Sequence, residues 1–138
     1  MSIQTELINL EDLVSCDHIY RKFIGIVNIP KLASTHLKSA EGNSSYKGYG
    51  IELLFKALLL QPLEDLSDRE LERYLTENNA AKWFCQLSLT SPTPDHKVFT
   101  RARKKIGAHL LSKIFADIRE QLKQQGYMNE VFTFIYVY

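Results

Sequence analysis

The chain has 138 residues, 45% of them hydrophobic, and a formal net charge of +1, which fits one globular domain with room for a real core. The first ten residues, MSIQTELINL, lack a basic n-region, and the longest apolar run, LLFKALLLQ, is far short of the roughly 20 residues of a membrane span. Secretion and membrane spanning are therefore excluded as expectations, and a soluble cytoplasmic protein is predicted. The charge is gathered in one place: residues 1–95 carry nine Lys/Arg and thirteen Asp/Glu, residues 96–113 carry six Lys/Arg and no acid, and residues 114–138 carry two bases and three acids. Such asymmetry points to an anionic partner, most often nucleic acid.

In chain order, IQTELINLEDLV is weakly patterned. CDHIYRKFIGIVNIP reads as a helix with Asp17 as N-cap, with Ile19, Phe23, Ile26 and Val27 on one face and Pro30 as its end. KLASTHL suits a short helical turn, and KSAEGNSSYKGYG is a loop by its Gly, Ser and Asn content. IELLFKALLLQ is apolar on nearly every side, which predicts a central buried helix stopped by Pro62. Ser67 with Glu70 makes a capping box for the next helix, Leu66 and Leu71 suit a hydrophobic staple, and Leu71 and Leu75 point inward. Asn78 and Asn79 break that pattern, and AAKWFCQL is a short helix expected to pack Trp83, Phe84 and Leu87 into the core.

SLTSPTP is a second loop. Thr93 is expected as N-cap and Pro94 as first helical residue of a helix running to Ile106, with Asp95 complementing its dipole and Gly107 interrupting it. Leu110, Leu111, Ile114, Phe115, Ile118 and Leu122 give an amphipathic helix ending at Gly126, and VFTFIYVY has strand composition without a partner strand. The fold class is all-α: a compact multi-helix domain with a helix-turn-helix-like element over residues 1–130, and a short β-like tail over 131–138.

The helix after Pro94 carries the sharpest functional signal. At about 100° per residue, Lys97, Arg101, Lys104 and Lys105 share one side, Val98, Phe99, Ala102 and Ile106 lie roughly opposite, and Arg103 stands apart. A charge run is ordinarily a solvated face. This one has no acid within it to pair with, and it follows two shorter helices, as a recognition helix does. Four or five phosphate contacts would make binding strongly salt-dependent. Double-stranded DNA is thus the expected partner, with Lys97, Arg101, Arg103, Lys104 and Lys105 as DNA-binding residues. No catalytic residue, metal ligand or cofactor is expected. Cys16 and Cys85 form no metal motif and read as buried thiols. His18, His36 and His109 read as isolated surface residues, and Asp95 and His96 as bonded within the first helical turn. Glu64, Asp65, Asp68, Glu70 and Glu72 read as a solvated turn and helix start. Trp83 and Phe84 read as core, and Tyr46, Lys47 and Tyr49 as candidate backbone contacts.

The motifs in order, Leu58–Gln61 (LLLQ), Leu66–Glu72 (LSDRELE), Trp83-Phe84, Pro92–His96 (PTPDH) and Arg101–Lys105 (RARKK), with Asp17–Phe23 (DHIYRKF) upstream, resemble the N-terminal domain of bacterial insertion-sequence transposases of the InsH type. The resemblance covers about residues 12–130. It implies a helical domain that recognises the terminal inverted repeats of a mobile element, followed in the family by an RNase H-like domain whose DDE triad cuts DNA with two metal ions. The segment EVFTFIYVY departs from that pattern, with Tyr136 about where the family has its first Asp. The expectation is therefore a transposase fragment ending before the catalytic domain, and not itself an enzyme. Two alternatives stay open: an interaction protein that pairs with and inhibits a full-length transposase, and the first-frame product of a frameshifted active one. Self-association is a further possible partnership.

Overall fold

The computed structural model describes residues 9–37 and 49–126. Eight α-helices lie among them: α1 Leu10–Leu13, α2 Ile19–Ile26, α3 Ile29–His36, α4 Ile51–Glu64, α5 Asp68–Glu77, α6 Asn79–Cys85, α7 His96–Ile106 and α8 Ala108–Gln124. The all-α expectation holds. The β-like tail, with the 131–138 boundary, lies outside the described residues, as do Tyr46 and Lys47.

The core is one cluster with α4 at its centre. Leu54 to Leu60 are buried at seven consecutive positions, so neighbouring helices cover α4 on all sides: α3, α5, α6 and α7 each pack against it. That run includes Lys56, whose Nζ donates to Gln86 Oε1 at 3.2 Å and lies 3.9 Å from Glu52 Oε1. A buried ammonium needs such partners, because its desolvation is otherwise uncompensated. A second focus is aromatic. Phe84 of α6 meets Tyr20 at 5.3 Å and Phe23 at 6.0 Å between ring centroids. Tyr20 Oη donates to Glu64 Oε2 and bonds Tyr74 Oη, both at 2.6 Å, which ties α2 to α4 and α5. Burial, then the Glu64 carboxylate, push the Tyr20 phenol far above its ordinary range, so it stays a donor.

Several boundaries differ from the sequence expectation, each for a local reason. Asp17 is not the N-cap of α2; His18 is, with its Nδ1 accepting from the Tyr20 N–H at 3.0 Å, while Asp17 accepts from the Ser15 hydroxyl. Pro30 does not end that helix. Val27 does, and Pro30 lies in the first turn of α3, where a missing N–H costs nothing. The short turn expected over KLASTHL is thus an eight-residue helix capped by Asn28. Pro62 does not stop α4, which runs one residue-pair further to Glu64 and closes at Asp65 in the left-handed region, φ 56°. Asn78 both ends α5 and caps α6, its side chain accepting from Ala81 N–H at 2.8 Å.

The Ser67–Glu70 capping box forms as expected, and Leu66 and Leu71 both pack on the core. Phe84 and Leu87 are buried, whereas Trp83 is half-buried at the edge of the core. Its indole donates to Glu11 Oε2 at 2.6 Å and its face carries the Arg21 guanidinium 4.5 Å from the ring centroid. Cys85 is buried as expected, but Cys16 is exposed, because it sits in the turn before α2. His18 and His36 are not isolated: His18 caps α2 and His36 Nε2 bonds Asp117 Oδ2 at 3.2 Å.

Phe84→Ala should remove about 3–5 kcal/mol of stability, since it deletes a fully buried ring on which Tyr20 and Phe23 both pack. Urea unfolding followed by circular dichroism measures it, and a loss under about 1 kcal/mol would contradict this packing.

Candidate nucleic-acid interface

The basic helix α7 begins later than its sequence suggests. Thr93 is not its cap and Pro94 is outside it. Asp95 is the N-cap, and its Oδ1 accepts from Lys97 N–H at 2.9 Å and Val98 N–H at 3.1 Å. At the other end Gly107 adopts φ 88°, a region that disfavours side chains, and α8 starts on the next residue. Val98, Phe99, Ala102 and Ile106 are buried against the core.

Between the apolar side and the basic side of α7 runs a polar seam against α5. Arg103 grips Asp68 with both arms of its guanidinium, Nη1 to Oδ1 at 2.5 Å and Nη2 to Oδ2 at 2.8 Å. Thr100 Oγ1 donates to Asp68 Oδ2 at 2.6 Å. Gln61 of α4 joins them, its Nε2 donating to Asp68 Oδ1 at 2.8 Å and its Oε1 accepting from Arg103 at 3.2 Å. One turn further, Glu72 Oε1 accepts from the His96 backbone N–H at 2.8 Å and lies 2.9 Å from His96 Nδ1. Asp68 opposite Arg103 and Glu72 opposite His96 mean that α5 and α7 run antiparallel. The Arg103 fork, with Thr100 and Gln61, holds the Asp68 carboxyl well below the usual carboxylate range against the opposing effect of burial. His96 likewise lowers Glu72.

The five predicted DNA-binding residues therefore separate. Lys97, Arg101 and Lys104 are exposed along one side of α7, and none of them is in an ion pair among the described residues. Lys105 is half-buried beside them. Arg103 is 100° from Lys104 and its guanidinium is engaged by Asp68. The acids of the turn and helix start are not merely solvated: Asp68, Glu72 and Glu64 bond residues of other helices, and Glu70 completes the capping box. Tyr49, another candidate contact, donates its hydroxyl to Pro92 O at 3.2 Å. Asp68, Gln61, Thr100 and Glu72 were not singled out as a unit from sequence. The signal was there: His96, Thr100 and Arg103 at i, i+4, i+7 form one polar line, matched by Asp68 and Glu72 at i, i+4.

The setting of α7 differs from a tight helix-turn-helix. Ten residues, Gln86–Asp95, separate α6 from α7, against the three or four of the common motif, and α7 packs on α4, α5 and α8. Among the described residues no helix is long and apolar enough to cross a membrane, and no three His, Cys, Asp or Glu gather as metal ligands would.

Comparison with protein families matches residues 8–105 to Transposase domain (DUF772). The chain belongs to this transposase domain family. The match runs from just before α1 to the basic residues at the end of α7, so the seam lies within it. No curated protein and no solved structure matches the chain.

Because Asp68 is ionised more easily in the folded state, its contribution is complete above the unfolded value of about 3.9 and is lost as pH falls below it. Asp68→Asn should cost on the order of 1–3 kcal/mol near neutrality, and the gap from the parent protein should close below about pH 4. Urea titrations at a series of pH values follow it, and a gap independent of pH would show that the carboxylate charge is not what holds the seam.

Proposed function

We propose that this domain is the DNA-binding part of an insertion-sequence transposase, of the InsH-type DDE class, and that it holds the terminal inverted repeats of the element through α7. The observation that carries the reading is the fixed orientation of α7. Its apolar side is buried, its polar seam is bonded to α5, and the side left to solvent presents Lys97, Arg101 and Lys104 with Lys105 at their edge. A helix held in this way keeps its cations in register for a rigid anion without ordering a loop first. The family membership supports DNA as that anion, since transposition acts on DNA.

In this reading the lysines neutralise phosphates and set the affinity, while the planar fork of Arg101 is suited to the O6 and N7 atoms of a guanine in the major groove. Arg103 acts by anchoring α7, its guanidinium being held by Asp68. We assign the domain no catalytic step, because Glu64, Asp68, Glu70 and Glu72 are each committed to a hydrogen bond or ion pair within the fold. Strand cutting would belong to the family's separate DDE domain. In this reading the protein works in the cytoplasm, alongside the element's DNA.

Replacing Lys97, Arg101, Lys104 and Lys105 with Ala should leave helicity intact, weaken binding to a labelled element-end duplex at least about tenfold, and flatten the logarithmic salt slope by about 3 to 4. Fluorescence anisotropy against a scrambled duplex, across a salt series, measures both. Unchanged affinity in a folded variant would exclude α7 as the contact, and absence of binding by the parent protein at low salt would exclude the reading as a whole.

A further inference from the structure

The antiparallel seam fixes what lies beside α7 as well as α7 itself. Around α7, at about 100° per residue, the seam residues His96 and Thr100 are followed on one side by Lys104 and Lys97, and on the other, past Arg103, by the buried Phe99. Around α5, the seam residues Asp68 and Glu72 are flanked on one side by the buried Leu71 and Leu75, and on the other by Thr76, Arg69 and Arg73, all exposed. The two buried sides meet the same core. The two exposed sides therefore open to the same solvent, and Arg69 and Arg73 stand across the seam from the lysines of α7. A groove of about 370 Å³ marks this junction, lined by Arg69, Glu72, Arg73, Thr76, Glu77 and His96.

We infer that Arg69 and Arg73 form a second DNA-contact element, a clamp for the phosphodiester backbone of the duplex that α7 engages; this rests on the DNA-binding reading above. The two arginines are four residues apart, one turn of α5, so their side chains leave the same strip of helix. Neither is in an ion pair among the described residues. Of the two acids in the groove, Glu72 is bonded to His96, and Glu77, one turn beyond Arg73, is in no ion pair with it among the described residues. Thr76 turns its hydroxyl inward, donating to Glu72 O at 2.8 Å, which leaves the two arginines, with the His96 ring beside them, as the groove's donors toward an anion. A long flexible cation beside a reading helix adds affinity without base identity, because phosphates are the same at every step. The basic surface thus spans two helices locked to each other, with α7 as the reader and α5 as the grip on the flanking strand.

The test is anisotropy on the full chain with Arg69→Gln/Arg73→Gln, measured with element-end and scrambled duplexes over a salt series. Loss of binding by roughly tenfold for both duplexes, with the salt slope reduced by about 2 and the ratio between duplexes unchanged, is the expected result. Lys22→Gln/Lys31→Gln on α2 and α3 is the charge-matched control and should bind as the parent does. Three results would overturn the clamp: unchanged affinity in the arginine variant, an equal loss in the control, or a loss confined to the element-end duplex. If the α7 variant loses binding while the arginine variant does not, the clamp fails and the α7 reading stands. A parent protein that binds neither duplex removes both.

Discussion

The two-armed ion pair between Asp68 and Arg103 is the constraint on which the orientation of the basic helix depends. A helix docked only by apolar side chains can slide or rotate by a fraction of a turn, since burial is not directional. A guanidinium fork on a carboxylate is directional, and here Thr100 and Gln61 complete the coordination of the same two groups. The Asp68 side chain is 18% exposed and that of Arg103 40%, so the pair is shielded enough to outweigh a surface salt bridge yet avoids the full desolvation cost of a buried one. Glu72 with His96 repeats the contact at the other end of the seam. Two attachments, two turns of α7 apart, set its rotation as well as its position.

That arrangement explains how a nearly neutral protein carries one strongly basic face. The run from His96 to Lys113 has no acid in it, but the acids it needs are supplied by α5, and they are spent on only one line of the helix. Arg103 and His96 take them. Lys97, Arg101 and Lys104 point away and keep their charge available. The same acids also hold α5 in place, so neutralisation on one side and exposure on the other arise from a single packing event.

Much of the fold was legible in the sequence because it follows from local rules. The continuous apolar run of α4, the Ser67–Glu70 capping box, the break at Gly107 and the apolar spacing of α8 all survive in three dimensions. Most of the errors at helix ends, apart from the Asp17 cap, share a cause. Pro30, Pro62 and Pro94 were read as punctuation at fixed positions, whereas proline is tolerated in a first turn and can be carried in a last one when the chain beyond it is packed. The basic side of α7 was legible from its periodicity alone. The acids opposite it were not read as partners, because Asp68 and Arg103 are separated by 35 residues and only the packing of α5 on α7 joins them.

The position of Arg103 also separates two uses of positive charge that composition cannot distinguish. Within RARKK, Arg101 and Arg103 are equivalent by residue type and only two positions apart, yet about 200° of helix rotation sends one to solvent and the other to Asp68. A lysine would serve poorly at 103, since a point charge cannot hold both carboxylate oxygens in one plane. At 97 and 104 a compact ammonium on a flexible stem stands in solvent, held in no ion pair among the described residues. Position along α7 thus decides what a cation does: at 103 a fork meets a carboxylate fixed within the fold, while Lys97, Arg101 and Lys104 face solvent.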